Sequence, residues 1–121
     1  MGDSNSSTLP ATSRIKKRTE FLHIQNTGKK LFSRHFLIIA KESTSNQSRI
    51  GITISKKVDK RATRRNRIKR RIKEIFRLNQ HRFHKNFDIV IIARKNAGKI
   101  EYRSAEREIL GALLHNGLIL D

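Results

Sequence analysis

One stretch decides the fold: Phe87-Asp88-Ile89-Val90-Ile91-Ile92-Ala93. It is an almost continuous apolar run with the length of a strand rather than of a helix. A strand that is apolar at successive residues, and not only at alternate ones, is typical of a position buried on both faces of a sheet. We therefore predict a central strand over residues 87–93.

Two further strands are predicted on the N-terminal side of this run. Residues 31–40 are dominated by Phe, Leu and Ile, and residues 49–55 alternate Ile with Gly, Thr and Ser, which is the period of a strand. The stretch 42–48 between them is polar and turn-like, so an antiparallel pair is favoured. The second strand would have one face of small residues, which leaves that surface open to a group laid across it.

Three segments have helical character. Residues 61–79 carry one apolar stripe at i, i+4, i+7 and i+8, formed by Ile68, Ile72, Ile75 and Phe76. Residues 14–26 predict a short helix that stops at Gly28, and residues 104–115 predict a helix that stops at Asn116-Gly117. The resulting order is helix, strand, strand, helix, strand, helix.

This order predicts an α+β fold, a two-layer sandwich in which helices pack on one side of a small mixed sheet. The crossover through the helix at 61–79 would be right-handed by default. Residues 1–13 are small and polar and contain the only proline, Pro10, so we expect a disordered tail that cannot bury enough apolar surface to order itself. Residues 14–121 would then form a single domain.

The charge of the chain points to a polyanion as partner. It has 28 Lys and Arg against 10 Asp and Glu, a formal net charge of +18. The absence of cysteine excludes disulfides and thiolate metal sites and fits a reducing compartment. No run approaches the roughly 18 apolar residues of a membrane span. We expect a cytoplasmic protein with no membrane partner and no obligate protein partner.

The charge is concentrated between Lys56 and Lys73. This segment holds five Lys and six Arg against one acid, Asp59. A solvated helix face normally interleaves both signs, so the excess of one sign favours contact with phosphates over a merely solvated face. Each phosphate contact would add nearly one unit to the salt dependence of binding.

The sequence offers no catalytic group of its own. The five histidines are scattered, and none has a carboxylate at the spacing of a metal or triad motif. His81 and His84 lie three residues apart near a helix end, but two ligands without a third are insufficient for a metal. We predict neither catalytic residues nor a metal site in this chain.

The basic segment and its surroundings resemble the bacterial ribonuclease P protein. The resemblance is most specific at Arg65-Asn66-Arg67-Ile68-Lys69-Arg70 and covers about residues 14–115. Its other parts are residues 49–57, Arg61-Ala62, Glu74-Ile75-Phe76-Arg77, residues 88–95, Lys16-Lys17-Arg18, Glu20-Phe21, Gly28 and Phe36.

The resemblance implies a subunit of a ribonucleoprotein endonuclease, ribonuclease P, which removes the 5′ leader of precursor tRNA. The chemistry would belong to the catalytic RNA, with Mg²⁺ held mainly by RNA phosphates to activate water and stabilise the leaving oxygen. The family also has a left-handed crossover, which we adopt in place of the right-handed default. The implied RNA-binding residues are Lys56, Lys57, Arg61, Arg65, Asn66, Arg67, Lys69, Arg70 and Lys73.

The resemblance further implies a cleft between the first helix and the sheet for the single-stranded leader, lined by Phe21, Gln25, Phe36 and Ile39. Aromatic faces suit this task because stacking on a base contributes roughly 1–3 kcal/mol and tolerates any sequence. Gln25 stands where the family often has an aromatic, and Ile39 where some members have Tyr. The alternative is that Phe21 only anchors the helix, and that Phe36 only packs in the core.

Two other functions fit the charge. A structural RNA-binding module like a ribosomal protein shares the charge and fold class, but it needs no single-strand site. A DNA-binding domain would read the major groove with the basic helix and show base specificity, whereas we expect steep salt dependence with little sequence preference.

Overall fold

The computed structural model describes residues 9–120, which form four strands and three α-helices. The strands are β1 (Lys29–Phe32), β2 (Phe36–Glu42), β3 (Arg49–Thr53) and β4 (Phe87–Ala93). The helices are α1 (Arg18–Thr27), α2 (Ala62–Asn79) and α3 (Tyr102–His115). The α+β class and the order of the predicted elements are confirmed, with one strand more than expected.

The extra strand arises within the stretch predicted as one strand over residues 31–40. A tight turn at residues 33–35 divides it into β1 and β2, which pair antiparallel. The turn is closed by Ser33, whose amide donates to the carbonyl of Phe36 at 2.9 Å and whose hydroxyl accepts from the Phe36 amide at 3.2 Å. The apolar composition alone did not reveal this polar interruption.

The strand order is β1-β2-β4-β3, so the predicted central position of residues 87–93 is confirmed. β4 pairs antiparallel with β2 and parallel with β3, which makes the sheet mixed as expected. The predicted antiparallel pairing of β2 with β3 is wrong. The most apolar strand lies between them because that position covers its backbone on both edges and its side chains on both faces.

The two faces of the sheet are covered by different helices. Ile38, Ile89 and Ile91 pack with the apolar stripe of α2 and with α3, whereas Ile39 and Val90 pack with Ile24 of α1 on the opposite face. The prediction that all helices lie on one side is therefore wrong. A strand with apolar side chains on both faces requires cover on both.

Part of the stretch predicted as a disordered tail is ordered. Residues 1–8 lie outside the described residues, but Leu9 is 4% exposed and belongs to the larger core cluster. Residues 11–13 form a 3₁₀ turn, and the Ile15 amide donates to the Ile50 carbonyl at 2.9 Å. Residues 9–13 are thus packed, because Leu9 supplies an apolar anchor that the average composition of residues 1–13 concealed.

One cation ties α1 to the sheet. The Arg49 guanidinium donates through Nε and Nη2 to the two carboxylate oxygens of Asp88, each at 2.9 Å, and through Nη1 to Glu20 at 3.1 Å. The hydrogen bond to Asp88 raises the pKa of Arg49 above its ordinary value, against the opposing effect of burial. The first turn of α1 is thereby fixed over β3 and β4.

The other end of α1 lies close to β2. A Cβ at Gly28 would lie 2.7 Å from the Ile24 carbonyl and 2.7 Å from Cγ2 of Ile39, so only glycine allows this approach. The predicted helix stop at Gly28 is confirmed. No helix within residues 9–120 is both long and apolar enough to span a bilayer.

Candidate nucleic-acid interface

The outer face of α2 carries a large excess of cations, of which Arg64 and Arg77 are ion-paired with Asp59 and Glu74. Its apolar stripe is buried exactly where the helical period predicted it, which turns the basic residues outward. Asn66, Arg67 and Arg70 are exposed, as are Lys56, Lys57 and Arg61 before the helix. None of the nine predicted RNA-binding residues forms an ion pair with an acid within residues 9–120. A polyanion can therefore bind these residues without displacing an acidic partner from any of them.

Arg65 differs from the other basic residues of α2. Its Nη1 donates to the carbonyl of Asp59 at 3.0 Å and to that of Lys60 at 2.9 Å. The Asp59 carboxylate in turn accepts from the Arg61 amide at 2.9 Å. Arg65 thus holds the loop before α2 in place, in addition to any contact it makes with a ligand.

A cationic depression connects α2 to α1. It has a volume of about 210 Å³ and brings Lys69 and Lys73 next to Arg14, with Phe21 on its wall. Burial, together with the charges of Arg14 and Lys69, lowers the pKa of Lys73 below its ordinary value. The Nε of Arg14 is buried without a hydrogen-bond partner in the described part of the chain. The mutual repulsion of these cations would be reduced by a bound anion such as a phosphate.

Phe21 lies directly on the surface of β3. A Cβ at Gly51 would be 2.5 Å from Cζ of Phe21, so the missing side chain of Gly51 is what allows the ring to rest there. The ring is half-buried and packs against the cluster that contains Ile24 and Ile39. The ring therefore occupies the predicted open strand face at Gly51, whereas Thr53 on the same face stays exposed.

The same ring also lines a second depression. That depression has a volume of about 350 Å³ and is bordered by Lys16, Arg18, Leu22, Gln25 and Thr53. Phe21 stands between the two depressions and contributes to both. The two interpretations of Phe21, core anchor and cleft lining, are thus both compatible with its position.

Two of the residues implied for the cleft do not reach it. Phe36 is 0% exposed in the core cluster on the opposite face of the sheet, among residues that pack with α2 and α3. Ile39 is 1% exposed and lies beneath α1. Side chains alternate along a strand, so Phe36 and Ile39, three residues apart, cannot share a face. Phe21 and Gln25 are brought together on the same depression.

Residues on the sheet beside α1 were missed by sequence reasoning. Leu37 and Ile92 are half-buried, lie opposite each other on β2 and β4, and pack at the edge of the α1 cluster. The signal was available, since both lie an even number of residues from Ile39 and Val90 and so share their face. Arg14 was also missed, and its spacing in the sequence gave no indication of its position.

The groove on the other side of α1 has a different charge. It is lined by the acids Glu20, Glu42 and Asp88 together with Lys41 and Arg49, and it holds about 290 Å³. Arg49, which is half-buried, is already ion-paired with Glu20 and Asp88. A polyanion would therefore be favoured on the Phe21 side of α1 rather than on this side.

A basic depression of about 430 Å³ lies between α2 and the segment before α3, lined by Arg64, Arg67, Arg71, Lys99 and Tyr102 among others.

The histidines are not arranged as a metal site. His84 contacts the carbonyl of Gly117 at 2.6 Å. Within residues 9–120, no group of three or more His, Asp or Glu is placed to hold a metal ion.

Comparison with known proteins places the chain among relatives of one kind. The family model described as Ribonuclease P matches residues 9–116. The ribonuclease P protein component of Syntrophus aciditrophicus is 46% identical over 107 residues, 88% of each chain. That of Fusobacterium nucleatum is 39% identical over 99 residues, 78% of this chain and 88% of the relative.

Solved structures agree with the sequence comparison. The RNase P protein of Staphylococcus aureus superposes with a TM-score of 0.80 at 28% identity, over 89% of this chain and 98% of the other. The RNase P protein of Thermotoga maritima superposes with a TM-score of 0.76 at 34% identity, over 84% of this chain and 96% of the other.

Proposed function

This chain belongs to the ribonuclease P protein family, and we propose on that premise that it binds the catalytic RNA of ribonuclease P and the 5′ leader of precursor tRNA. It would thereby assist the endonucleolytic removal of the leader that forms the mature tRNA 5′ end. The main observation in support is that Lys69 and Lys73 of α2 line the same depression as Phe21. The cations of α2 are therefore continuous with the proposed leader cleft beside Phe21. A surface of this kind suits a folded RNA and a single strand side by side.

The exposed face of α2 is the proposed contact with the catalytic RNA. Arg binds a phosphate bidentately, and Asn66 offers both a donor and an acceptor to a nucleotide. Because none of the nine predicted RNA-binding residues is ion-paired with an acid within residues 9–120, counterion release from the RNA would be the main driving force. Binding should be steep in salt and nearly independent of base sequence.

The Phe21 side of α1 is the proposed path of the leader. A half-buried ring presents one surface to the core and leaves the rest free for a base, and Lys16 and Arg18 lie beside it for the backbone phosphates. The leader is the part of the substrate that mature tRNA lacks. The cleft therefore provides discrimination between substrate and product.

The catalyst is proposed to be the RNA. Mg²⁺ held mainly by RNA phosphates would activate water and stabilise the leaving oxygen. The residues of this chain would neutralise phosphates and orient the substrate, so their effect should be largest when magnesium is scarce. A cytoplasmic location belongs to the same proposal, because both RNA partners are cytoplasmic molecules in bacteria.

The test is the affinity of the reconstituted holoenzyme for precursor and for mature tRNA, with the wild-type protein and with Phe21→Ala. We expect Phe21→Ala to weaken binding of the precursor more than of the mature tRNA. The matched control is Phe83→Ala, which removes another half-buried ring that packs against the other core cluster, next to Phe76 and Phe87.

Equal losses for both RNAs with Phe21→Ala, at the level of the control, would mean that the ring is only a core anchor. Equal affinity of the wild-type holoenzyme for precursor and mature tRNA would leave a structural RNA-binding module as the better description.

A further inference from the structure

Phe32 is the most exposed large apolar side chain within residues 9–120, at 70%. It ends the edge strand β1 and is flanked by exposed Lys30 and Arg34. Proteins that bind single-stranded nucleic acids combine aromatic side chains, on which bases stack, with cations that contact the backbone phosphates. Its position on the sheet decides whether the leader could reach it.

The register places Phe32 on the same face as α1. Phe32 lies opposite Leu37, Leu37 lies opposite Ile92, and Ile92 lies opposite Thr53. Residues that are directly opposite on neighbouring strands point to the same face. The four side chains therefore form one row across all four strands, next to the row of Ile39 and Val90 that α1 covers.

α1 covers this row only in part. Thr53 and Phe32 are exposed, Leu37 and Ile92 are half-buried, and α1 borders the Thr53 end of the row with Arg18, Leu22 and Gln25. With strands roughly 4.8 Å apart, three spacings separate β3 from β1 by roughly 14 Å. The row thus continues from the depression at Phe21 and Thr53, over β3, to exposed Phe32 on β1, and we call this strip of sheet beside α1 the groove.

The charge along the groove favours a polyanion. Lys16 and Arg18 stand at the Phe21 end, and exposed Lys30 and Arg34 stand at the Phe32 end. No acid lines the depression beside Phe21, in contrast to the groove on the other side of α1 with its three carboxylates. The occupant that fits is a single strand of RNA.

The turn after Phe32 is held in place by side chains from two other elements. Glu108 of α3 accepts from the His35 amide and from the Ser33 hydroxyl, each at 2.9 Å. Arg94 donates to the Ser33 carbonyl, and Asn96 donates to the Arg34 carbonyl, each at 3.1 Å. A ring carried on a fixed strand end loses little freedom when a base stacks on it.

We propose that Phe32 is a second stacking site for the leader, at the end of the groove remote from α2. This inference rests on the proposed function, since the leader is the strand that enters at Phe21. Because α2 faces the catalytic RNA, Phe32 would contact leader nucleotides farther from the cleavage site than those on Phe21. It supplies an aromatic surface that Gln25 and buried Ile39 do not.

The test measures the affinity of the holoenzyme for precursors with a nested series of leader lengths. Phe32→Ala should leave short leaders unaffected and weaken long ones by roughly five- to tenfold, the low end of what one stacked base contributes. Phe32→Tyr, which keeps an aromatic ring, should retain the wild-type affinity for long leaders. Leu120→Ala removes an apolar side chain of comparable exposure, 60%, and should change nothing at any length.

A direct reporter is available because the chain has no tryptophan. Phe32→Trp introduces a single indole, whose fluorescence should change on binding a long-leader precursor and stay constant with mature tRNA. A leader-length profile unchanged by Phe32→Ala, with an indole insensitive to the leader, would overturn the proposal.

Different results would refute the proposed function and the second stacking site. If Phe21→Ala reduces discrimination between precursor and mature tRNA whereas Phe32→Ala does not, the proposed function stands and the second stacking site is refuted. If the wild-type holoenzyme does not discriminate at all, both are refuted.

Discussion

Replacement of Gly51 by Ala tests how the Phe21 ring is held on β3. The added Cβ would lie 2.5 Å from Cζ and 2.7 Å from Cε1 of Phe21. Carbon atoms in contact are separated by roughly 3.5–4.0 Å, so the ring would have to withdraw by at least about 1 Å. The ring also packs against Ile24, so its withdrawal loosens α1 on the sheet.

The expected cost is that of overpacking, about 1–3 kcal/mol in the free energy of unfolding. For a domain of this size, each kcal/mol corresponds to a decrease in Tm of roughly 3–6 °C. Chemical and thermal denaturation of the protein alone provide the measurement. The affinity of the holoenzyme for precursor tRNA should fall at the same time, because the displaced ring no longer presents its free surface to the leader.

A double-mutant cycle isolates the contact. In the Phe21→Ala background, Gly51→Ala meets no ring and should cost less than about 0.5 kcal/mol. The coupling between the two sites should therefore account for most of the cost of the single Gly51→Ala replacement. Additive costs would refute the reasoning, since they would mean that the ring does not rest on Gly51.

Three further predictions concern other parts of the fold. Burial of Glu108 opposes its ionisation, but hydrogen bonds from the His35 amide and ring lower its pKa below the ordinary value. The ionised Glu108 should stabilise the fold at pH values above the ordinary glutamate pKa of about 4.3, and this stabilisation should be lost as the pH falls below that value. On acidification, Tm should therefore fall more in the wild type than in Glu108→Gln. Arg49→Lys should lower the free energy of unfolding by about 1–2 kcal/mol in urea titrations, because an ammonium cannot form the two-pronged bond to the β4 carboxylate. Arg67→Ala should reduce the salt slope of binding to the catalytic RNA by about 0.7–0.9, whereas Arg103→Ala, an exposed cation on α3, should leave it unchanged.

The apolar patterns of the sequence indicated which strands and helices form, but not how they are arranged. The run at 87–93 predicted a central strand with two buried faces, and both features are confirmed. The pairing partner of β3 was missed because pairing depends on which strand most needs cover on both edges. The same run required cover on both faces of the sheet, which excluded helices on one side only.

In the candidate site, too, the sequence predicted some features and not others. The helical period of 61–79 correctly separated the buried Ile68 and Ile72 from the exposed cations, because one helix sets its own two faces. The cleft depends on which row of the sheet α1 covers, and that is a tertiary contact through Gly28 and Gly51. Strand alternation alone would have shown that Phe36 and Ile39 cannot line one cleft together. It could not show that Phe32 lies uncovered.

The most direct test of the central claim is cleavage of a precursor tRNA at low magnesium by a bacterial ribonuclease P RNA, with and without this protein. We expect cleavage at the mature 5′ end to require both components under these conditions and to become independent of the protein as magnesium rises. Binding of the protein to the RNA with no change in cleavage at any magnesium concentration would contradict the account and leave a general RNA-binding protein.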